Sequence, residues 1–241
     1  MSRIKIGAAL ALCVLLALGA LGEERDMTVS DAPLSPAYDL PEGFVYVQDV
    51  IEDVIQEIRY AGRHNFTGTV VDGYEEPLAI MTEKAAVHLK QAADALREKG
   101  YLIKIFDAYR PQRAVRCFMN WSMSEDDGST RDEFYPDYAN KKQLVEQGYI
   151  ARNSAHTRGS AVDLTLTDLE GNELDMGTCF DFFGKKAWHG AADVTEAQQA
   201  NRQILLGAMR EAGFRPFEQE WWHYKLVGEP FPETSFDFIV H

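Results

Sequence analysis

Five residues of this chain have types that could do chemistry together: His156, Asp163, Glu220, His223 and Arg110. His156 stands seven residues ahead of Asp163 in "SAHTRGSAVDLTL", Ser154 to Leu166. A loop histidine followed by a strand aspartate can place two metal ligands on one side of a sheet. By itself the spacing is weak, since most such pairs are a surface histidine and a solvated aspartate. Asp163, however, sits between Val162 and Leu164 in an otherwise apolar segment, where an unpaired carboxylate is costly. A metal or an arginine would relieve that cost.

In "EQEWWHY", Glu218 to Tyr224, Glu220 and His223 lie three apart. A flat strand would point them to opposite faces, so one shared site requires a turn or bulge between them. The alternative is an aromatic core strand with a rim glutamate and a buried, hydrogen-bonded histidine. In "DAYRP", Asp107 to Pro111, Arg110 closes a buried strand just before a helix. It can reach into a cleft and stabilise an oxyanion, because guanidinium is always charged and donates in a fixed fork. It can equally form a structural ion pair with Asp107.

The pieces fit better together than apart. Two histidines and one carboxylate make a three-ligand zinc site with one position left for water, the arrangement that catalytic zinc uses. Zinc lowers the pKa of that water and polarises a carbonyl, and a nearby carboxylate, here Glu220, takes the proton. His64, His88, His189 and His241 remain as weaker alternatives. His88 falls mid-helix, and His189, in "KKAWHGA", is a loop residue with no assignable role.

Other chemistries lack their motifs. There is no G-x-S-x-G elbow, phosphate loop, dinucleotide fingerprint or H-E-x-x-H helix, and S-x-x-K occurs only as Ser2–Lys5 in the signal-like N-terminus, not in the globular part. The absence of C-x-x-C excludes a cysteine-based zinc site. Cys117 lies in an apolar helical stretch, which favours an inert thiol over a nucleophile.

Helices and short strands must position these groups. Thr82 caps a predicted helix running to Gly100, with Val87, Leu89, Ala93 and Leu96 in its core stripe. "YLIKIFDAY" reads as a buried strand, followed by a helix from Pro111 that carries Ala114, Val115, Phe118 and Met119 inward. Residues 122–137 form an acidic, turn-rich excursion. "SAVDLTL" is a strand with Val162, Leu164 and Leu166 on one face and Asp163 and Thr165 on the other. A helix opens on a Thr195–Gln198 capping box and closes near Gly213, and "EWWHYKLV" is the last strand. Without regular β-α alternation, this order indicates an α+β fold.

The 241 residues, 46% hydrophobic and 11% aromatic, suit one sizeable domain. A formal charge of −14 argues against nucleic acid as a partner. Residues 1–22 have the form of a signal peptide: Arg3 and Lys5, an apolar run from Ile6 to Leu21, and small Ala20 and Gly22 before Glu23. An uncleaved anchor is the alternative, although the run is slightly short to span a bilayer. Residues 23–43, acidic with three prolines, read as an arm or linker, and 44–241 as the catalytic domain. After signal cleavage no stable membrane span is expected. Cys117 and Cys179 could pair in an oxidising compartment or remain buried thiols.

The same motifs resemble a known family. "SAHTRGSAVDLTL", "EWWHY" and "DAYRP", with "IRYAGRHNFTGTVVDGY", "RPQRAVRCFMNW" and "DMGTCFDFFG", look like the zinc D-alanyl-D-alanine dipeptidases of the VanX type, relatives of the bacterial D,D-carboxypeptidases. The likeness runs from about residue 45 to the "FDF" at 236–238. It implies a small, mostly antiparallel sheet with helices packed on it, the D,D-peptidase/Hedgehog-like architecture, around one catalytic Zn2+. It also implies hydrolysis of the free dipeptide D-alanyl-D-alanine, with His156, Asp163 and His223 as ligands, Glu220 as base and Arg110 as oxyanion donor. Tyr60, Tyr74, Ser154 and Asp181 match the family's substrate-holding residues. Asp181 could meet the dipeptide's ammonium, while Ser154 and a backbone N–H hold its carboxylate. Two features depart from the resistance-conferring relatives. Ala108 stands where glycine is common, and an export signal implies a periplasmic or extracytoplasmic enzyme that salvages D-alanine from wall-derived dipeptide. The competing expectations are a D,D-carboxypeptidase and a zinc-binding module without catalysis; Glu220 and Arg110 argue against the second.

Overall fold

In the computed structural model, which describes residues 40–241, the elements follow in order: β1 (Phe44–Tyr46), β2 (Ile55–Gln56), β3 (Ile80–Thr82), α1 (Glu83–Arg97), β4 (Leu102–Asp107), α2 (Gln112–Met123), α3 (Arg131–Phe134), α4 (Lys142–Glu146), β5 (Ala161–Thr167), α5 (Glu196–Glu211), β6 (Phe214–Phe217) and β7 (Glu220–Leu226). The signal peptide expected at 1–22, and the arm expected at 23–43 up to residue 39, lie outside the described residues. No helix among those described is long and apolar enough to cross a membrane.

Five strands form one sheet in the order β2-β4-β5-β7-β6, with a separate β1–β3 pair. Among these strands only β2–β4 pair in parallel, and the others pair antiparallel. The fold is α+β with a mostly antiparallel sheet. The central strand β5 is buried along its whole length. Val162, Leu164 and Leu166 fill one face, and Asp163 and Thr165 are equally enclosed on the other. A two-residue period therefore sorts apolar from polar here without sorting core from solvent.

Two irregularities in this sheet shape the site. The β4–β5 register shifts between Ile105 and Asp107, which sets Asp107 level with Asp163. On the other side Asp163 pairs with His223. The β6–β7 pairing then jumps from Pro216–Tyr224 to Phe217–Glu220, so Trp221, Trp222 and His223 bulge out of that ladder. The interruption expected between Glu220 and His223 is present, and it re-aims side chains as bulges beside active sites do.

The helices follow their end signals. Thr82 Oγ1 accepts from Ala85 N at the start of α1, and both bonds of the Thr195–Gln198 box form at the start of α5. Val87, expected in the α1 core stripe, is instead 48% exposed. The 3.6-residue period runs through Ala85, Leu89, Ala92, Ala93 and Leu96, which turns Val87 outward. In α2, Ala114, Val115 and Phe118 are buried as expected, while Met119 is only half-buried. Cys117 and Cys179 are both free thiols.

Packing on β5 holds the site's central strand still. Leu164→Ala should lower stability in urea unfolding by about 2–5 kcal/mol, the cost of emptying a buried leucine site. A loss below about 1 kcal/mol would show that β5 is not locked by this face.

Candidate metal centre and active-site cleft

His156 begins a short 3-10 turn, His156–Arg158, ended by Gly159 at φ +71°. A Cβ at position 159 would collide with the Phe44 ring, so glycine suits this corner on both counts. The Ser154 hydroxyl accepts from the His156 backbone N–H (3.2 Å), and the Arg110 N–H donates to the His156 carbonyl (3.3 Å). The imidazole Nδ1 lies 2.6 Å from the Ala108 carbonyl. A carbonyl only accepts, so Nδ1 carries the proton and the Nε2 lone pair points inward.

That lone pair meets two partners. Nε2 of His156 is 3.3 Å from an Asp163 oxygen and 3.1 Å from Nδ1 of His223, which is itself 2.9 Å from the other Asp163 oxygen. One ligand atom from each residue lies within 4.8 Å of the other two. Burial alone would raise the Asp163 carboxyl, but His156 and His223 outweigh it and hold it well below the usual carboxylate range. Burial works against the His223 imidazolium, yet its bond to Asp163 raises its pKa. Two ring nitrogens and a carboxylate converging at this spacing are a borderline-soft donor set that a divalent metal of the zinc type fits.

Behind this cluster Asp107 is fully buried and completely engaged. Its Oδ1 accepts from the Tyr74 hydroxyl (2.6 Å), and its Oδ2 accepts from Nε of Arg110 and pairs ionically with Nη2, both at 2.8 Å. Oδ2 also lies 3.4 Å from Nδ1 of His156. Burial pushes the Asp107 carboxyl up against the opposing charges of Arg110 and His156. The Arg110 guanidinium stacks over Tyr60 and Phe118, 5.1 Å from each ring, and its Nη2 stands 3.5 Å from Asp163. The ion pair with Asp107 and a place in the cleft are thus compatible.

Glu220 heads β7 just after the hairpin turn, its Oε2 3.9 Å from Nδ1 of His223. Burial pushes its carboxyl up to about 7, with Asp163 adding and His223 and Arg110 opposing. Asp181, 5% exposed, accepts a 2.8 Å bond from the Tyr60 hydroxyl. Burial, helped by the charge of Asp163, raises its carboxyl well above the ordinary range. It is the one non-glycine residue with positive φ among those described, at +61°. Such strain persists only where the surroundings over-determine it, and it gathers at functional sites.

One cleft of about 220 Å³ brings together His156, Asp163, His223, Glu220, Arg110, Tyr60, Ser154 and Asp181. Its volume falls below the roughly 300–1,000 Å³ common for ligand pockets, which suits a small substrate. Tyr74 does not line it; its hydroxyl is committed to Asp107 from behind. Nor do the alternative histidines. His64 pairs with Glu133 at the surface, His88 bonds the Ala212 carbonyl, His189 packs edge-on against Tyr224, and the His241 carbonyl accepts from Tyr46. Tyr149 and Phe217 also line the cleft and carried no signal in the sequence. Asp107 was visible there only as a partner for Arg110.

A family profile described as D-ala-D-ala dipeptidase matches residues 41–241. The chain is 39% identical over 202 residues to a D-alanyl-D-alanine dipeptidase of Enterococcus faecalis, an overlap of 83% of this chain and 100% of that one. Against the D-alanyl-D-alanine dipeptidase of Enterococcus faecium it is 38% identical over 199 residues, 82% of this chain and 98% of the other. The D-alanyl-D-alanine dipeptidase of Streptomyces coelicolor is 39% identical over 198 residues, again 82% and 98%.

Asp107→Ala would leave the Arg110 guanidinium in its aromatic slot without its main counter-ion. Stability of the metal-free protein in urea should fall by about 3–5 kcal/mol, the cost of breaking a buried pair. A change under about 1 kcal/mol would show that Asp163 alone neutralises Arg110.

Proposed function

The chain belongs to the D-alanyl-D-alanine dipeptidase family of peptidases, and on that premise we propose that it is a zinc enzyme that hydrolyses free D-alanyl-D-alanine to two D-alanines. The observation that carries this reading is the convergence of His156 Nε2, Asp163 and His223 Nδ1 in a small cleft that also holds Glu220 and Arg110. Zinc held by these three residues would supply a Lewis acid that acidifies water and polarises the scissile carbonyl.

The protein's own groups do the rest. Glu220 is the general base: it takes a proton from the attacking water and delivers it to the leaving amine as the C–N bond breaks. A carboxyl pushed up to about 7 is well matched to both transfers. Arg110 faces the oxyanion that develops on the carbonyl. Asp107, Tyr60 and Phe118 already fix its guanidinium, so little reorganisation is needed during reaction. Asp181 receives the substrate ammonium, which supplies the cation that a buried carboxylate lacks, and Tyr60 orients it. Ser154 takes the substrate carboxylate with a backbone N–H, while Tyr74 acts indirectly through Asp107. Meeting both charged ends of a free dipeptide discriminates against blocked and longer peptides.

We further propose that residues 1–22 export the chain to a periplasmic or extracytoplasmic site, where the enzyme recovers D-alanine from wall-derived dipeptide. The basic start, uncharged apolar run and small residues before Glu23 support this.

A substrate panel tests the activity. Zinc-loaded protein should cleave D-Ala-D-Ala and leave N-acetyl-D-Ala-D-Ala and L-Ala-L-Ala essentially intact. Glu220→Gln should retain zinc while turning over ~10²–10⁴-fold more slowly. Efficient cleavage of the acylated peptide would favour a D,D-carboxypeptidase instead, and no hydrolysis at full zinc occupancy would favour a non-catalytic module. For export, N-terminal sequencing of protein from the extracytoplasmic fraction should begin at Glu23, and full-length chain retained in the cytosol would contradict it.

A further inference from the structure

Trp188 and His189 lie outside the cleft lining yet touch two separate stretches of its wall. The indole Nε1 of Trp188 donates to the Tyr149 hydroxyl at 3.0 Å. The next residue's backbone N–H, that of His189, donates to the Glu218 carbonyl at 3.0 Å. Tyr149 belongs to the segment 148–155, most of which lines the cleft and which carries Ser154. Glu218 is in the β6–β7 turn, flanked by the cleft residues Phe217 and Glu220.

Both stretches are irregular, and 148–155 is tethered mainly at its two ends, by Tyr149 N–H to the Leu144 carbonyl (2.9 Å) and by Thr157 Oγ1 to the Ser154 carbonyl (2.8 Å). The segment 148–155 contains no helix or strand, and Glu218 and Gln219 are the two residues of a hairpin tip. Segments of this kind open locally unless tertiary contacts restrain them. The Trp188–His189 pair, in contrast, is firmly rooted. Arg202 of α5, 1% exposed, donates from Nε to the Met176 carbonyl, from Nη1 to the Trp188 carbonyl and from Nη2 to the Lys186 carbonyl, at 2.7, 3.0 and 3.0 Å. A buried guanidinium with all three nitrogens engaged fixes the 186–188 turn to the helix. From that base one side chain and one backbone amide reach out to the two wall segments. Tyr149 is also packed against Phe183, another residue of the cleft wall, with ring centroids 5.4 Å apart.

We infer that Trp188 and His189 form a brace that sets the spacing of the two wall segments and so limits the length of peptide the cleft accepts. Trp188 is then a positioning residue that acts through Tyr149 and touches no substrate. In a cleft of about 220 Å³, seating one more residue within the walls requires one of them to move, and the brace opposes that movement. The length limit rests on the dipeptidase reading above; the brace itself does not.

Hydrogen exchange and a two-peptide assay test it on the full-length, zinc-loaded protein. Trp188→Phe removes the donor and keeps an aromatic ring, whereas Trp188→His keeps an N–H at the corresponding ring position. In W188F, amide exchange in 148–155 should rise by about 2–10-fold, the scale of one lost hydrogen bond, while 217–220, still bonded through the His189 N–H, should stay near wild type. W188H should return 148–155 towards wild type. Y149F, which deletes the acceptor and leaves Trp188 intact, should raise exchange in 148–155. The ratio of kcat/KM for D-Ala-D-Ala over tri-D-alanine should fall by about 2–10-fold in W188F, chiefly through a lower KM for the longer peptide. Exchange that rises only within 185–190, or equally in W188F and W188H, would overturn the brace. Raised exchange with an unchanged peptide ratio would overturn its role in length selection. If the wild type hydrolyses neither peptide, the dipeptidase reading fails and exchange alone still decides the brace.

Discussion

An ionised carboxylate on the central strand of a sheet is stable only if cations or donors surround it on every side. Asp163 is that carboxylate, and much of the local architecture can be understood as what surrounds it. The register shift in β4 sets Asp107 beside it, and the β7 bulge lets His223 face it while Glu220 stays within reach. The turn at His156–Arg158 brings a third side chain over the same point, and Arg110 approaches from the end of β4. His156, His223 and Arg110 oppose the charge of Asp163, while Asp107 and Glu220 add carboxylates whose protons Asp163 helps to retain.

The residues behind the cluster are themselves interlocked. Asp107 bonds Tyr74 and Arg110 at once and lies close to His156 Nδ1, so one buried carboxylate positions both the proposed oxyanion donor and a proposed ligand ring. A site assembled this way needs little rearrangement when charge develops during reaction, which is where electrostatic preorganisation gains its effect. Asp181 is held differently, by strained backbone and the Tyr60 hydroxyl. Its raised pKa means that it gains from a cationic partner, as a binder of an ammonium should.

Some of this was legible in the sequence for physical reasons. The period-two run around Asp163, the caps at Thr82 and Thr195, and the need for an interruption between Glu220 and His223 are all local properties of the chain. What escaped depends on long-range packing. Val87 suits the core by apolar character but falls outside the buried stripe by helical phase. Tyr74 lies one layer behind the cleft because Asp107 captures its hydroxyl, a contact between residues 33 apart in the chain. Tyr149 and Phe217 reach the cleft from a strap and a hairpin tip whose positions follow from tertiary contacts rather than from any local pattern. The motif resemblance implies the ligand set, but only the geometry relates Arg110 to Asp107 and His156 to Ala108.

The most direct test of the zinc site is a crystal structure of zinc-loaded protein with anomalous diffraction at the zinc edge. The expected result is a single strong peak about 2.0–2.2 Å from His156 Nε2, His223 Nδ1 and an Asp163 oxygen, on the cleft side facing Glu220. A peak elsewhere, or none at full zinc loading, would contradict the assignment of these three residues as ligands.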